Sequence, residues 1–171
     1  MSNTGVEPSD YVEKLIVGLR NSGTVWTDAT PDPRNPLLRF ILTAWNPART
    51  MLAEVSVVDI VPDDEWPQEE GTQISIAFYD DQEQFMLDCG FGLSYYAKSL
   101  ELIDEIFTEE LSIEVYGGAD NEWHGAACVL HDREYEREGA LYVRSWLGSY
   151  DRSPTPLFKN PDAKRRPDGF S

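Results

Sequence analysis

The chain has 171 residues, with 14 Lys or Arg against 31 Asp or Glu and a formal net charge of −17. That length suits one domain with a core of its own, and 41% hydrophobic with 12% aromatic content excludes a chain too polar to fold. The negative charge disfavours nucleic acid and anionic lipid as direct partners, and no run of eighteen apolar residues is present to span a membrane.

In chain order, residues 1–8 read as a frayed end. Asp10 and Glu13 have the spacing of a capping box with Asp10 as N-cap. Val12, Leu15, Ile16 and Leu19 follow as a helical stripe, and Asn21-Ser22-Gly23 stops it. Residues 26–36 contain Pro31, Pro33 and Pro36 and read as loop. Residues 37–45 alternate, with Leu38, Phe40 and Leu42 on one face and Arg39, Ile41 and Thr43 on the other. Residues 52–61 form a second strand, apolar on both faces near its end, as a central strand is. An acidic loop follows at 62–71. Residues 73–79 are a third strand with Ile74, Ile76 and Phe78 inward, and Asp80-Asp81-Gln82-Glu83 is a hairpin turn.

The clearest unit is the strand–helix–strand stretch at 84–118. In its helix, 95–109, Leu100, Ile103 and Phe107 make the apolar stripe, widened by Leu102 and Ile106. Glu101, Glu105 and Glu109 repeat at four-residue steps on the other side, where like charges repel. In the strand after it, Leu111, Ile113 and Val115 alternate with Ser112, Glu114 and Tyr116, the pattern of a sheet with one wet face. Residues 122–131 read as a strand in which Gly125 marks a bulge, residues 132–138 as a mixed-charge connector, and residues 140–147 as the last strand. The expected fold class is α+β: a single, mostly antiparallel twisted sheet of about seven strands, with two main helices packed on one face. Residues 1–150 form the domain, and 151–171 a basic, Pro-rich C-terminal tail.

The motifs that would carry chemistry are incomplete. His124, Cys128 and His131, with Cys89 as a fourth group, have ligand chemistry, but on a strand His131 points away from the other two. The carboxylates at 63–65 and 80–83 lack the alternating pattern and glycine of an EF-hand loop. Gly90-Phe91-Gly92-Leu93-Ser94 stands between strand and helix yet matches neither a phosphate-binding turn nor a serine elbow, and Ser94 reads as a helix cap. Two cysteines, Cys89 and Cys128, read as reduced thiols. The expectation is a cytoplasmic protein that is not an enzyme, with no cofactor and no metal.

The placement of charge points elsewhere. Residues 50–132 hold twenty Asp or Glu and a single base, Lys98, while the other thirteen bases lie in the flanks with eleven acids. Three acidic segments carry an aromatic residue: Asp63-Asp64-Glu65-Trp66 with Glu69 and Glu70; Tyr79-Asp80-Asp81 with Glu83; and Glu122-Trp123. An aromatic anchor ringed by carboxylates suits a partner rich in Lys and Arg, because the ring supplies desolvated contact and the rim charges steer encounter. The candidate partner-binding residues are therefore Asp63, Asp64, Glu65, Trp66, Glu69, Glu70, Asp80, Asp81, Glu83, Glu122 and Trp123.

This profile resembles that of cytosolic immunity proteins in bacterial toxin–immunity systems, small acidic domains without chemistry that cover a toxin's active site. The resemblance is one of class and covers no defined residues. It implies a stoichiometric inhibitor of a basic toxin or enzyme domain, with no direct contact to nucleic acid or membrane. The alternatives are a nucleic-acid mimic, which would need a long regular track of acids such as Glu101, Glu105 and Glu109 begin, and an enzyme of unrecognised type.

Overall fold

The computed structural model describes residues 8–31, 33–60, 71–81, 85–117, 123–130 and 140–152, with backbone alone at 8, 85, 123, 124, 140 and 141. The element order is α1 (Pro8–Asn21), β1 (Thr27–Ala29), β2 (Leu38–Trp45), β3 (Met51–Ile60), β4 (Gly71–Asp80), β5 (Phe85–Gly92), a 3-10 turn (Leu93–Tyr95), α2 (Tyr96–Phe107), β6 (Leu111–Gly117), β7 (Trp123–Leu130) and β8 (Ala140–Arg144). The class is α+β and every strand pairing is antiparallel. The expected single sheet of about seven strands is instead two sheets: five strands in the order β1-β2-β3-β4-β5, and three in the order β7-β6-β8. α2 intervenes between β5 and β6, and β6 then pairs with β7 and β8 instead of extending the first sheet. The added strand, β1, lies in the proline-bearing segment expected to be loop.

Alternation in the five-stranded sheet puts Leu42, Val55, Ile76 and Phe78 on one face, where they join Leu15 and Leu19 of α1 and Ile103 and Ile106 of α2 in one buried cluster. Ile113 and Val115 of β6 complete it. The helices meet closely: a Cβ on Gly18 of α1 would run into Leu100 of α2. α1 begins at Pro8, a residue suited to a first helical turn, so Asp10 lies inside that turn rather than capping it. α2 starts after Tyr95 without any side-chain cap, so Ser94 does not have the role expected of it.

Three expectations about faces fail, each for a local reason. A register shift between Leu38 and Phe40 turns Leu38 to the side of Val58. It brings Arg39 to the side of Phe40, where Arg39 meets Asp59. Ser112, Glu114 and Tyr116 of β6 are not wet but buried, so this strand is dry on both faces. Among the described residues, neither Glu114 carboxylate oxygen, nor the Ser112 hydroxyl, has a hydrogen-bond partner. Glu109 leaves the exposed acidic row of α2, because the residue has φ 61 and is buried. That left-handed turn ends the helix, and the carboxylate accepts the N–H groups of Leu147 at 2.7 Å and Ser149 at 3.2 Å. Burial alone would push the Glu109 carboxyl up. Hydrogen bonds from the Ser149 and Ser145 hydroxyls and from the Leu147 and Ser149 N–H groups outweigh it and hold the group below its ordinary value.

The segment after β8 is therefore built around Glu109. Asp151 accepts the Ser145 N–H at 2.7 Å, and Val143 pairs with Arg152. Trp146 in this segment stacks on Phe107 at 4.0 Å between ring centres, and Trp26 stacks on Phe107 at 5.8 Å. Asn46 ties the β2–β3 turn to the same place by donating to the Trp146 carbonyl at 3.0 Å. These contacts hold the three-stranded sheet against the end of the five-stranded one.

Candidate partner-binding surface

Of the eleven residues expected to bind a partner, Asp63, Asp64, Glu65, Trp66, Glu69, Glu70, Glu83 and Glu122 lie outside the described residues. The positions around them are nonetheless informative. The 61–70 segment is anchored by Ile60 and Gly71, which pair at one end of the β3–β4 hairpin, while Asp80 pairs with Met51 at the other. Ten residues of strand separate those ends by about 30 Å. Asp80 and Asp81 therefore do not share a patch with the anchors of the first acidic segment. Asp80 instead sits close enough to Tyr142 of β8 to raise its phenol, after the larger effect of burial. Trp123 begins β7 opposite Gly117, in the other sheet.

The structure assembles a different acidic surface, on the outer face of the five-stranded sheet. Both helices and the inward residues of the second sheet join the opposite, core side. Among the described elements none packs on the outer face. Register lines its residues up in rows. Trp45, Leu52 and Tyr79 form one row, and Thr43, Glu54, Ala77 and Asp88 the next. Ile41, Ser56, Ser75 and Gly90 form the third. Glu54 and Asp88 thus flank the small side chain of Ala77. Burial, and secondarily the Asp88 charge, pushes the Glu54 carboxyl up. Burial, then Glu54 and Asp88, likewise raises the Tyr79 phenol. The Ser75 hydroxyl donates to Asp88 at 3.0 Å.

At one edge of this face a hollow of about 540 Å³ is lined by Val25, Thr27, Thr43, Trp45, Asn46, Pro47 and Arg49. Trp45 is 40% exposed and Val25 84%. The turn beneath is fixed by the Asn46 side chain, which accepts the N–H groups of Thr50 and Met51. Arg49 takes φ 57 there, and its guanidinium lies 5.9 Å from the Trp45 ring centre.

On the core side, α1 and the sheet enclose a second cleft of about 560 Å³, lined largely by Val12, Ile16, Val17, Phe40, Val57 and Leu93. Arg39 and Thr72 stand at its mouth, both bonded to Asp59, whose carboxyl the Arg39 hydrogen bond holds low. Arg39 and Thr72 are thus engaged with Asp59, and Ser9 and Glu13 of α1 also line the cleft.

The cysteines are free thiols. Burial pushes Cys128 up to about 12, with smaller contributions from nearby Cys89 and Glu105. Such a thiol is a poor nucleophile. Among the described residues no group of three metal-ligating side chains converges; His131 and the His124 side chain lie outside them. No helix among them is long and apolar enough to cross a membrane.

No family model matches the chain, and neither the curated proteins nor the solved structures include a significant match.

Sequence reasoning passed over Trp45, Glu54 and Asp88. The alternation of each strand was readable, but only the pairing register shows that these three share a face. An isolated Glu in an apolar strand, Glu54, was the available signal.

Proposed function

We propose that this is a non-catalytic acidic binding protein that neutralises a basic partner in the cytoplasm, as an immunity-type inhibitor of a bacterial toxin domain. The observation that carries this reading is the uneven distribution of charge over residues 50–132, where Lys98 is the single base. Glu54, Asp88, Glu101 and Asp104 have no ion-pair partner among the described residues. Arg20 and Arg39 are engaged with Asp28 and Asp59, and Lys98 lies over the Tyr95 ring. Such a surface attracts a cationic protein over a Debye length and raises its association rate. The nucleic-acid mimic is the weaker reading, because Glu109 is withdrawn into the fold and the acidic track on α2 is cut short.

The test is co-expression with a basic toxin-like domain encoded beside this chain. The expected result is a stoichiometric complex that abolishes toxicity and associates more slowly as salt rises. A complex whose association ignores ionic strength, or a protein that turns over a substrate alone, overturns the proposal. The Asp63, Asp64, Glu69 and Glu70 segment is assessed in the same assay by reversing all four to Lys. Slower association with folding intact places it in the interface, and unchanged kinetics remove it.

A further inference from the structure

We infer that the outer face of the five-stranded sheet is where the basic partner docks, seating an arginine between Glu54 and Asp88 and an apolar side chain against Trp45. This rests on the reading above and assigns it a place. Glu54 and Asp88 stand on strands either side of β4, opposite Ala77, so their backbones are about 10 Å apart. The small side chain of Ala77, itself buried, forms the floor between them. A guanidinium fits such a gap because its planar fork offers donors to both sides and is weakly hydrated.

The surroundings favour a protein over a free cation. Two carboxylates fall short of the oxygen set that a hard metal ion requires. Leu52 and Tyr79 lie in the row beside the pair, and apolar neighbours exclude water from a docked charge, which strengthens it. Trp45, exposed beside the hollow of about 540 Å³, is the residue type that most often anchors an interface. Arg49 holds a left-handed conformation there, and its guanidinium lies 5.9 Å from the Trp45 ring centre. The face has no covering element among those described, and its charge is opposite to that of the proposed partner.

The experiment uses the full chain, isotopically labelled, titrated with a blocked octa-arginine peptide as the probe and followed by amide chemical shifts. Saturable shifts are expected at Thr43, Trp45, Glu54, Ala77 and Asp88. The double variant Glu54→Gln/Asp88→Asn should weaken binding about tenfold, the scale of one lost charge-assisted contact. Glu101→Gln/Asp104→Asn should change it less than twofold, and Trp45→Ala should weaken it about threefold. If shifts gather on α2 while the outer face stays still, this docking site is wrong and the basic-partner reading survives. If the peptide does not bind even at low salt, both fall. The substitutions are near-isosteric, at the half-buried Glu54 and the exposed Asp88, so loss of binding with an unchanged spectrum elsewhere is not loss of fold.

Discussion

Glu54 and Glu114 occupy comparable places. Each sits on the middle strand of its sheet, and each points away from the helices. Glu54 is half-buried on a face that no described element covers, whereas Glu114 is 1% exposed and its oxygens have no hydrogen-bond partner among the described residues. Alternation fixes which residues share a face, but whether that face is wet depends on what the rest of the chain lays over it. A carboxylate is available to a partner only in the first case.

The two sheets are joined by the aromatic stack of Trp26, Phe107 and Trp146, and cutting it is the largest way to break the comparison. Phe107→Ala should cost about 3–5 kcal/mol, since it removes a ring packed on both sides. A denaturant melt showing a loss below about 1 kcal/mol would mean that the stack does not carry the junction. Next in size is Glu109→Gln, expected to cost about 1–3 kcal/mol because a charged acceptor of two backbone N–H groups becomes a neutral one. Its pH dependence follows from the sign of the shift. The folded carboxyl is held below its ordinary 4.5, so its stabilisation is present above that value and disappears as pH falls through the lower folded value. The variant should lack this acid limb, and an identical acid limb in both proteins would remove Glu109 from the account.

Glu114→Met should act in the opposite direction. A buried polar side chain without hydrogen bonds among the described residues is costly, so an apolar side chain of similar size is expected to raise stability by about 1 kcal/mol, measured as an upward shift of Tm. A loss of comparable size would show that the carboxyl group has a partner outside the described residues, and the contrast with Glu54 would then be one of pairing rather than of covering.

Much of the fold was legible because it rests on local periodicity. The stripes at Leu15 and Leu19 and at Ile103 and Ile106, and the inward set Ile74, Ile76 and Phe78, are all buried as their spacing implies. What was not legible depends on contacts distant in sequence. Glu109 lies four residues beyond Glu105 and reads as its equal. It differs because Leu147 and Ser149 come to it from about forty positions away. Arg39 changes sides through a bulge that alternation alone cannot reveal. The split into two sheets likewise depends on which strands pair. Among the candidate site residues, Asp80 and Asp81 were visible as acids beside an aromatic. Their distance from the 61–70 anchors was not, since strand length sets it only once the hairpin register is known.

The smallest expected effect is also the one that most sharpens the contrast between the sheets. Glu54→Gln should stabilise the free protein by a few tenths of a kcal/mol, modestly because half of the side chain remains in water. Burial and Asp88 raise the folded carboxyl above its ordinary 4.5. The penalty is therefore full at neutral pH and vanishes as pH falls through the raised value towards the ordinary one. The melting curves of the two proteins should converge on acidification over that interval. A docked guanidinium reverses the balance, because it favours the charged form. Binding of the arginine probe should then weaken as pH falls through the same interval in the native protein, and keep a flatter profile in the variant. Parallel profiles would place the probe away from Glu54, and the open face would be no more than a solvated one.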